Sequence, residues 1–230
     1  MLTRILVVST LLLGACARTT DSEPQPTAAQ SDNTFYALLN LSQTSYIPLE
    51  ASKLANESEV IATGTLVGVA DGLTIKSKSA QVPTALSSIV VALEVSDGIK
   101  GTSSGERVYV QFIHGGAVPT ARYAASLPKE RVTLFLSEAV WMPHDEVEYL
   151  NVGAGHPEGT KVYRTRTPQG MLIVRDERLV QPLESGESLQ LFSSDMTSLD
   201  DIADWYASGA SPIIVRSSAD TAASAPNESP

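Results

Sequence analysis

Alternation with a period of two constrains this chain more than any other feature. Ile89, Val91, Leu93 and Val95 recur at every second position, as do Val108, Val110 and Phe112, and then Val132, Leu134 and Leu136. Successive side chains of a strand point to opposite faces, so each run predicts a strand with one buried and one wet face. Val60 to Val69 is β-branched and apolar, carries Gly64 and Gly68, and reaches a turn signal at Asp71-Gly72. Glycines inside a strand mark a bulge or sharp curvature. Met171 to Val174 and Leu179 to Val180 read as the arms of a hairpin. No helical pattern between these runs is long enough to cross from one parallel strand to the next. The expected fold is therefore mainly β, a small antiparallel barrel of six or seven strands.

Two helices are expected beside the barrel. Pro48 to Glu57 places proline at an allowed first position and Ala51, Leu54 and Ala55 on one face. Farther on, Ser198 with Asp201 is a capping-box variant, and Asp200 and Asp201 sit where the helix dipole favours anions. Leu199, Ile202, Ala203 and Tyr206 share a face, and Gly209 and Pro212 end the helix. Asp195, Asp200, Asp201 and Asp204 have no calcium-loop spacing and read as a solvated first turn, so no metal is expected.

The formal charge of -10 gives no electrostatic reason to seek nucleic acid or anionic headgroups. Cys16 is the only cysteine, which leaves no disulfide framework and no cysteine-ligated metal. An apolar run from Ile5 to Leu13 follows the lone basic Arg4 and closes at Leu13-Gly14-Ala15-Cys16, the layout of an export signal. These four residues resemble the bacterial lipoprotein lipobox. That resemblance implies that Cys16 is lipidated on sulfur, becomes the new N-terminus and anchors the protein to a membrane without spanning it. The alternatives are an ordinary secretory signal with an incidental cysteine, or a short buried apolar segment. No other run reaches the roughly 18 apolar residues of a spanning helix. Ala17 stands where aspartate would imply inner-membrane retention in a diderm envelope. The expected location is thus the periplasmic side of the outer membrane in a diderm, or the outer face of the cell membrane in a monoderm.

The resulting organisation is a signal peptide at 1–15, a lipidated flexible tether at 16–45, the barrel with its C-terminal helix at 46–209 and a disordered tail at 210–230. Within the barrel, Ser58 to Leu66, then Val91 to Val95 running into Ile99-Lys100-Gly101, then Arg131 to Leu136, and last Gln169 to Val174 carry a further likeness. They resemble the core of small secreted bacterial β-barrel proteins, whose pattern is similar to the OB-like barrel of netrin and tissue-inhibitor-of-metalloproteinase modules. The likeness implies an OB-like fold over about residues 46 to 182 and says little about function. The inhibitor mechanism does not transfer, because it needs a free N-terminal cysteine amine beside the barrel.

Catalytic patterns are weak. Gly101-Thr102-Ser103-Ser104-Gly105 matches G-x-S-x-G as a string, but it precedes a strand, whereas a nucleophile elbow must enter a helix. His114, His144 and His156 show no metal-binding pair spacing and read as loop residues. Asp145, Glu146 and Glu148 beside His144 read as a charged loop or, alternatively, as an acid/base or metal cluster.

Three long connections, Asp71 to Ser88, His114 to Glu130 and Ala139 to Lys161, separate the strands. Long loops are usually functional or disordered. The third holds Trp141, Met142, His144, Tyr149 and His156. Trp141 reads there either as a contact for a partner or as a plug of the barrel end.

The first expectation is a membrane-anchored envelope lipoprotein without catalytic activity or cofactor. It would bind a protein, peptide or glycan through Trp141, His144, Tyr149 and His156. The alternatives are an envelope hydrolase using His144 and its carboxylate neighbours, and a carrier of an apolar ligand inside the barrel.

Overall fold

An odd number of strands closed into a ring cannot alternate direction all the way round, so one neighbouring pair must run parallel. The computed structural model, which describes residues 34–39, 49–78, 85–114, 118–141, 144–176, 178–183 and 196–209, obeys this rule. Its strands are β1 (Val60–Ser77), β2 (Ala85–Lys100), β3 (Arg107–His114), β4 (Arg131–Glu138), β5 (Val147–Leu150), β6 (Val162–Thr165), β7 (Met171–Arg175) and β8 (Arg178–Val180). They follow the order β5-β1-β2-β3-β6-β4-β7-β8, and an added β1–β4 pairing closes β1, β2, β3, β6 and β4 into a five-stranded ring. Tyr109 opposite Val162 and Val110 opposite Tyr163 form the parallel pair. The all-antiparallel expectation is corrected at that seam alone. The fold is a mainly β, OB-like barrel.

The alternating residues fill the barrel. Ile89, Val91, Leu93, Val95, Val108, Val110, Phe112, Val132, Leu134 and Leu136 are all buried in one apolar cluster. Side chains thus occupy the space that a ligand-carrying barrel would leave open.

The helices cover this frame from two directions. Residues 34–39 form α1, whose Phe35, Tyr36, Leu38 and Leu39 join the barrel core. Phe35 meets Tyr123 edge-on at 6.4 Å. Tyr123 belongs to α3 (Thr120–Ala125). The folded domain therefore begins upstream of residue 46, because Phe35 to Leu39 has apolar surface to bury where a tether has none. Cys16, the leader, Asp195 and the tail from residue 210 lie outside the described residues.

On another side, α2 (Ala51–Glu57) and α4 (Asp200–Ser208) pack Leu54, Leu199 and Ile202 onto Ile61, Phe135 and Leu172. These last three alternate with inward residues, so β1, β4 and β7 are apolar on both faces here. The predicted capping box is present: Ser198 N–H donates to Asp201 Oδ2 at 2.8 Å and Asp201 N–H to Ser198 Oγ at 3.3 Å. Helix α2 starts at Ala51, and the expected first position, Pro48, lies outside the described residues.

Asp71-Gly72 is no turn. β1 runs through it to Ser77, and Asp71 pairs with Ile89 and Thr74 with Ser87. Most of the expected Asp71 to Ser88 connection is therefore hairpin, with register shifts between Val67 and Val69 and between Asp71 and Thr74. β2 supplies partners on both sides of this dipeptide, from Lys100 to Ala85, and that pairing outweighs a local turn preference. The β7–β8 hairpin is present as expected and turns at Asp176, whose φ is 51.

Gly64 and Gly68 serve β1 differently. A Cβ on Gly64 would collide with the Glu94 carbonyl, whereas Gly68 has open space but a φ of +71. Gly64→Ala is accordingly expected to lose on the order of 3 kcal/mol through overpacking. Gly68→Ala is expected to lose about 1 kcal/mol through backbone strain alone. Urea denaturation of the two variants tests this order, and equal losses would mean that close approach at Gly64 does not set the bend.

Candidate functional site

The outward face of β2 and β3 carries residues that alternate with the core set, Ser88 and Val90 on one strand and Tyr109 and Gln111 on the other. Val90 stands opposite Gln111. A solvated face is expected there, yet Ser88, Val90 and Gln111 are buried. The chain between β4 and β6 folds back over them. Gly155, with φ +85, lies so close to Val90 and the Asp71 carbonyl that no side chain fits.

Beneath this cover runs a hydrogen-bond relay. Trp141 Nε1–H donates to Gln111 Oε1 at 3.2 Å, Gln111 Nε2–H to Ser88 Oγ at 2.6 Å, and Ser88 Oγ–H to the Leu73 carbonyl at 2.7 Å. Trp141 is half-buried and does not belong to the barrel core, so it is no plug. The Arg164 guanidinium lies 5.6 Å over its ring, and Tyr149 meets it at 6.4 Å with the planes tilted by 48°.

Trp141 forms one wall of an open cleft of about 390 Å³. Leu73, Val90, Ala154 and Val162 give the cleft apolar surface, and Gln111, Glu138, His156 and Lys161 give it polar groups. The volume lies within the roughly 300–1,000 Å³ range of ligand sites. Lys161 Nζ–H donates to Glu138 Oε2 at 2.5 Å, and this bond raises the lysine above its ordinary pKa. Both partners are solvent-exposed enough that the pair contributes little to stability.

Three of the four sequence-derived candidates come together at this cleft. Trp141 and His156 line the same cleft. Tyr149 touches Trp141 from β5, where it pairs with Ile75. His156 Nδ1 lies 3.1 Å from both Thr160 Oγ1 and the Pro157 carbonyl, and its ring is 6.3 Å from that of Tyr109. His144 stands apart: it is exposed on the turn before β5, and its Nδ1 accepts the Glu146 N–H at 3.2 Å. Met142 lies outside the described residues. Among the described residues, no group of three or more His, Cys, Asp or Glu is arranged to hold a metal ion.

Gln111 is the residue that sequence reasoning missed. Between Val110 and Phe112 it reads as a routine wet position, yet it is buried, bonded to Trp141 and Ser88 and sharing a cleft lining with residues 152–154. The G-x-S-x-G string forms the turn between β2 and β3, where Thr102 Oγ1–H and Ser103 N–H both donate to Glu106 Oε2, at 2.6 Å and 3.1 Å. Those two bonds hold the Glu106 carboxyl below its ordinary pKa.

A second recess of about 490 Å³ lies beside α3, lined by Asp71, Thr74, Ser88, His114, Thr120 and Asn151 among others. His114 ends β3 and is buried against the Tyr123 ring at 5.2 Å, which corrects its expected place in a loop. Phe112 already points inward, so the residue two positions on does too. Burial pushes the His114 imidazole below its ordinary 6.5, against a weaker opposing pull from Asp71. The unfolded chain then takes up this proton first as pH falls, so the neutral histidine contributes stability above about 6.5 that is lost below it. His114→Gln is expected to flatten the fall in denaturation midpoint between about pH 7 and about pH 5. Parallel slopes for the variant and the parent would refute a proton-linked role for His114.

Scans against family models, curated proteins and solved structures found no match, so the chain's own geometry carries what can be said of this site.

Proposed function

We propose that this chain is a non-catalytic binding module of a bacterial cell envelope, anchored to a membrane by lipid at Cys16, that takes a protein, peptide or glycan into the Trp141 cleft. The observation that carries the binding half is the Trp141–Gln111–Ser88 relay. A buried carboxamide fixes a large aromatic at the wall of an open cleft, which is what a contact residue needs if binding is not to cost extra ordering. Fold-level analogy supports the location. OB-type barrels bind oligonucleotides and oligosaccharides on the face of their second and third strands and through the loop between the fourth and fifth. Here that face belongs to β2 and β3, and that loop holds Trp141. The net charge of -10 disfavours the nucleic-acid option.

The anchoring half rests on the lipobox-like Leu13-Gly14-Ala15-Cys16. Two or three acyl chains would hold the domain durably, whereas one binds reversibly. The location that follows is the periplasmic side of the outer membrane in a diderm and the outer face of the cell membrane in a monoderm.

Two experiments test the two halves. Cys16→Ser is expected to move the protein from the membrane to the soluble fraction of the host, and unchanged membrane association would sink the anchor. Alanine at Trp141, Tyr149 and His156 together is expected to remove the envelope partners that wild type yields on crosslinking. An unaltered set of crosslinks, with the β-sheet circular dichroism intact, would sink the cleft.

A further inference from the structure

Resting on the cleft assigned above, we infer that its occupant is a neutral pyranose sugar, laid against Trp141 with hydroxyl or acetamido groups on Gln111 and on the Glu138–Lys161 pair. Charge excludes the ionised sugars first. Glu138 and Lys161 are bonded to each other at 2.5 Å, so the charges they bring to the cleft cancel, and the Arg164 guanidinium is stacked on the Trp141 ring and is not among the residues that line the cleft. An ionised ligand group entering there would give up water without gaining an unspent counter-charge.

The polar capacity that remains is of the neutral kind. Gln111 is 5% exposed, and its bonds to Ser88 and Trp141 use half of what a carboxamide can donate and accept. A buried amide with an N–H and a lone pair to spare at a cleft wall is matched by vicinal hydroxyls or by an acetamido group, each of which offers a donor beside an acceptor.

Shape gives the third step. Leu73, Val90, Ala154 and Val162 present shallow apolar surface beside one indole. A peptide is anchored by side chains in deep pockets, whereas a pyranose has an apolar C–H face with polar groups round its rim. Indole, aliphatic surface and a polar rim reproduce that pattern in reverse.

The test uses the full chain carrying Trp205→Phe, since Trp205 packs in the α4 cluster and its removal leaves Trp141 as the reporting fluorophore. Titration with N-acetylglucosamine trisaccharide is expected to give a saturable change in Trp141 emission. Glucosamine and galacturonate trisaccharides, cationic and anionic at neutral pH, are each expected to bind about tenfold more weakly. Gln111→Leu is expected to weaken the neutral trisaccharide by a similar factor. Glu138→Gln, an isosteric change at a half-buried side chain whose ion pair contributes little to stability, is expected to erase the discrimination against the galacturonate.

Equal binding of charged and neutral sugars would overturn the inference. So would the absence of any sugar response while the triple alanine substitution still abolishes crosslinks, and in that case the cleft stands with another occupant. No sugar response together with unaltered crosslinks overturns both.

Discussion

Backbone pairing along β1 is the constraint on which the rest of the molecule depends. One edge of this strand pairs with β2 along almost its whole length. The other pairs first with β4, through Val60–Thr65, and then with β5, through Thr74–Ser77. A straight strand could not turn the same edge toward two partners that lie apart, so the bend between them is what closes the barrel and also docks β5. Register shifts at Thr63/Gly64, Val67/Val69 and Asp71/Thr74 supply that bend. Because Tyr149 sits on β5 and Trp141 at the exit of β4, the geometry of the cleft is inherited from the curvature of β1.

The alternation in β2, β3 and β4 was legible because the barrel interior is apolar and continuous, and an inward position accepts little else. Helix α4 is legible from face and capping box and α2 from its face alone, whereas Trp205, which packs in the same cluster, falls off the expected α4 face. The misread Asp71-Gly72 shows the limit of local signals. Its backbone preference is overruled by thirteen residues of β2 pairing alongside. β5 was hidden for the opposite reason. Val147 to Leu150 is a short edge strand whose residues are half-buried or exposed, so it has no core face to leave a pattern.

The candidate site was legible in location and illegible in mechanism. Trp141 and Tyr149 stand out as large aromatics in a glycine- and proline-bearing connection, and their rings meet at 6.4 Å. His144 shares that proximity in sequence, yet it sits exposed on the turn before β5 and is not among the residues that line the cleft. Gln111 and Ser88 could not have been named, because outward polar residues on a strand are the default for a wet face. Their meaning comes from burial and from partners distant in sequence, Trp141 standing thirty positions from the Gln111 it bonds.

Why the cleft opens on β2 and β3 follows from what covers the other strands. On β1, β4 and β7 the outer face carries Ile61, Phe135 and Leu172, large apolar groups that demand cover and receive α2 and α4. A similarly apolar outer face on β2 and β3 would draw the 139–161 connection down into close packing and leave no cleft. The polar Gln111 and Ser88 prevent this. They can be buried only with hydrogen bonds made, so the connection is held at the distance of an indole and a carboxamide. Each such bond contributes about 1 kcal/mol net, less than apolar packing of the same area would. The relay therefore makes better sense as a device that fixes the Trp141 ring than as one that stabilises the barrel.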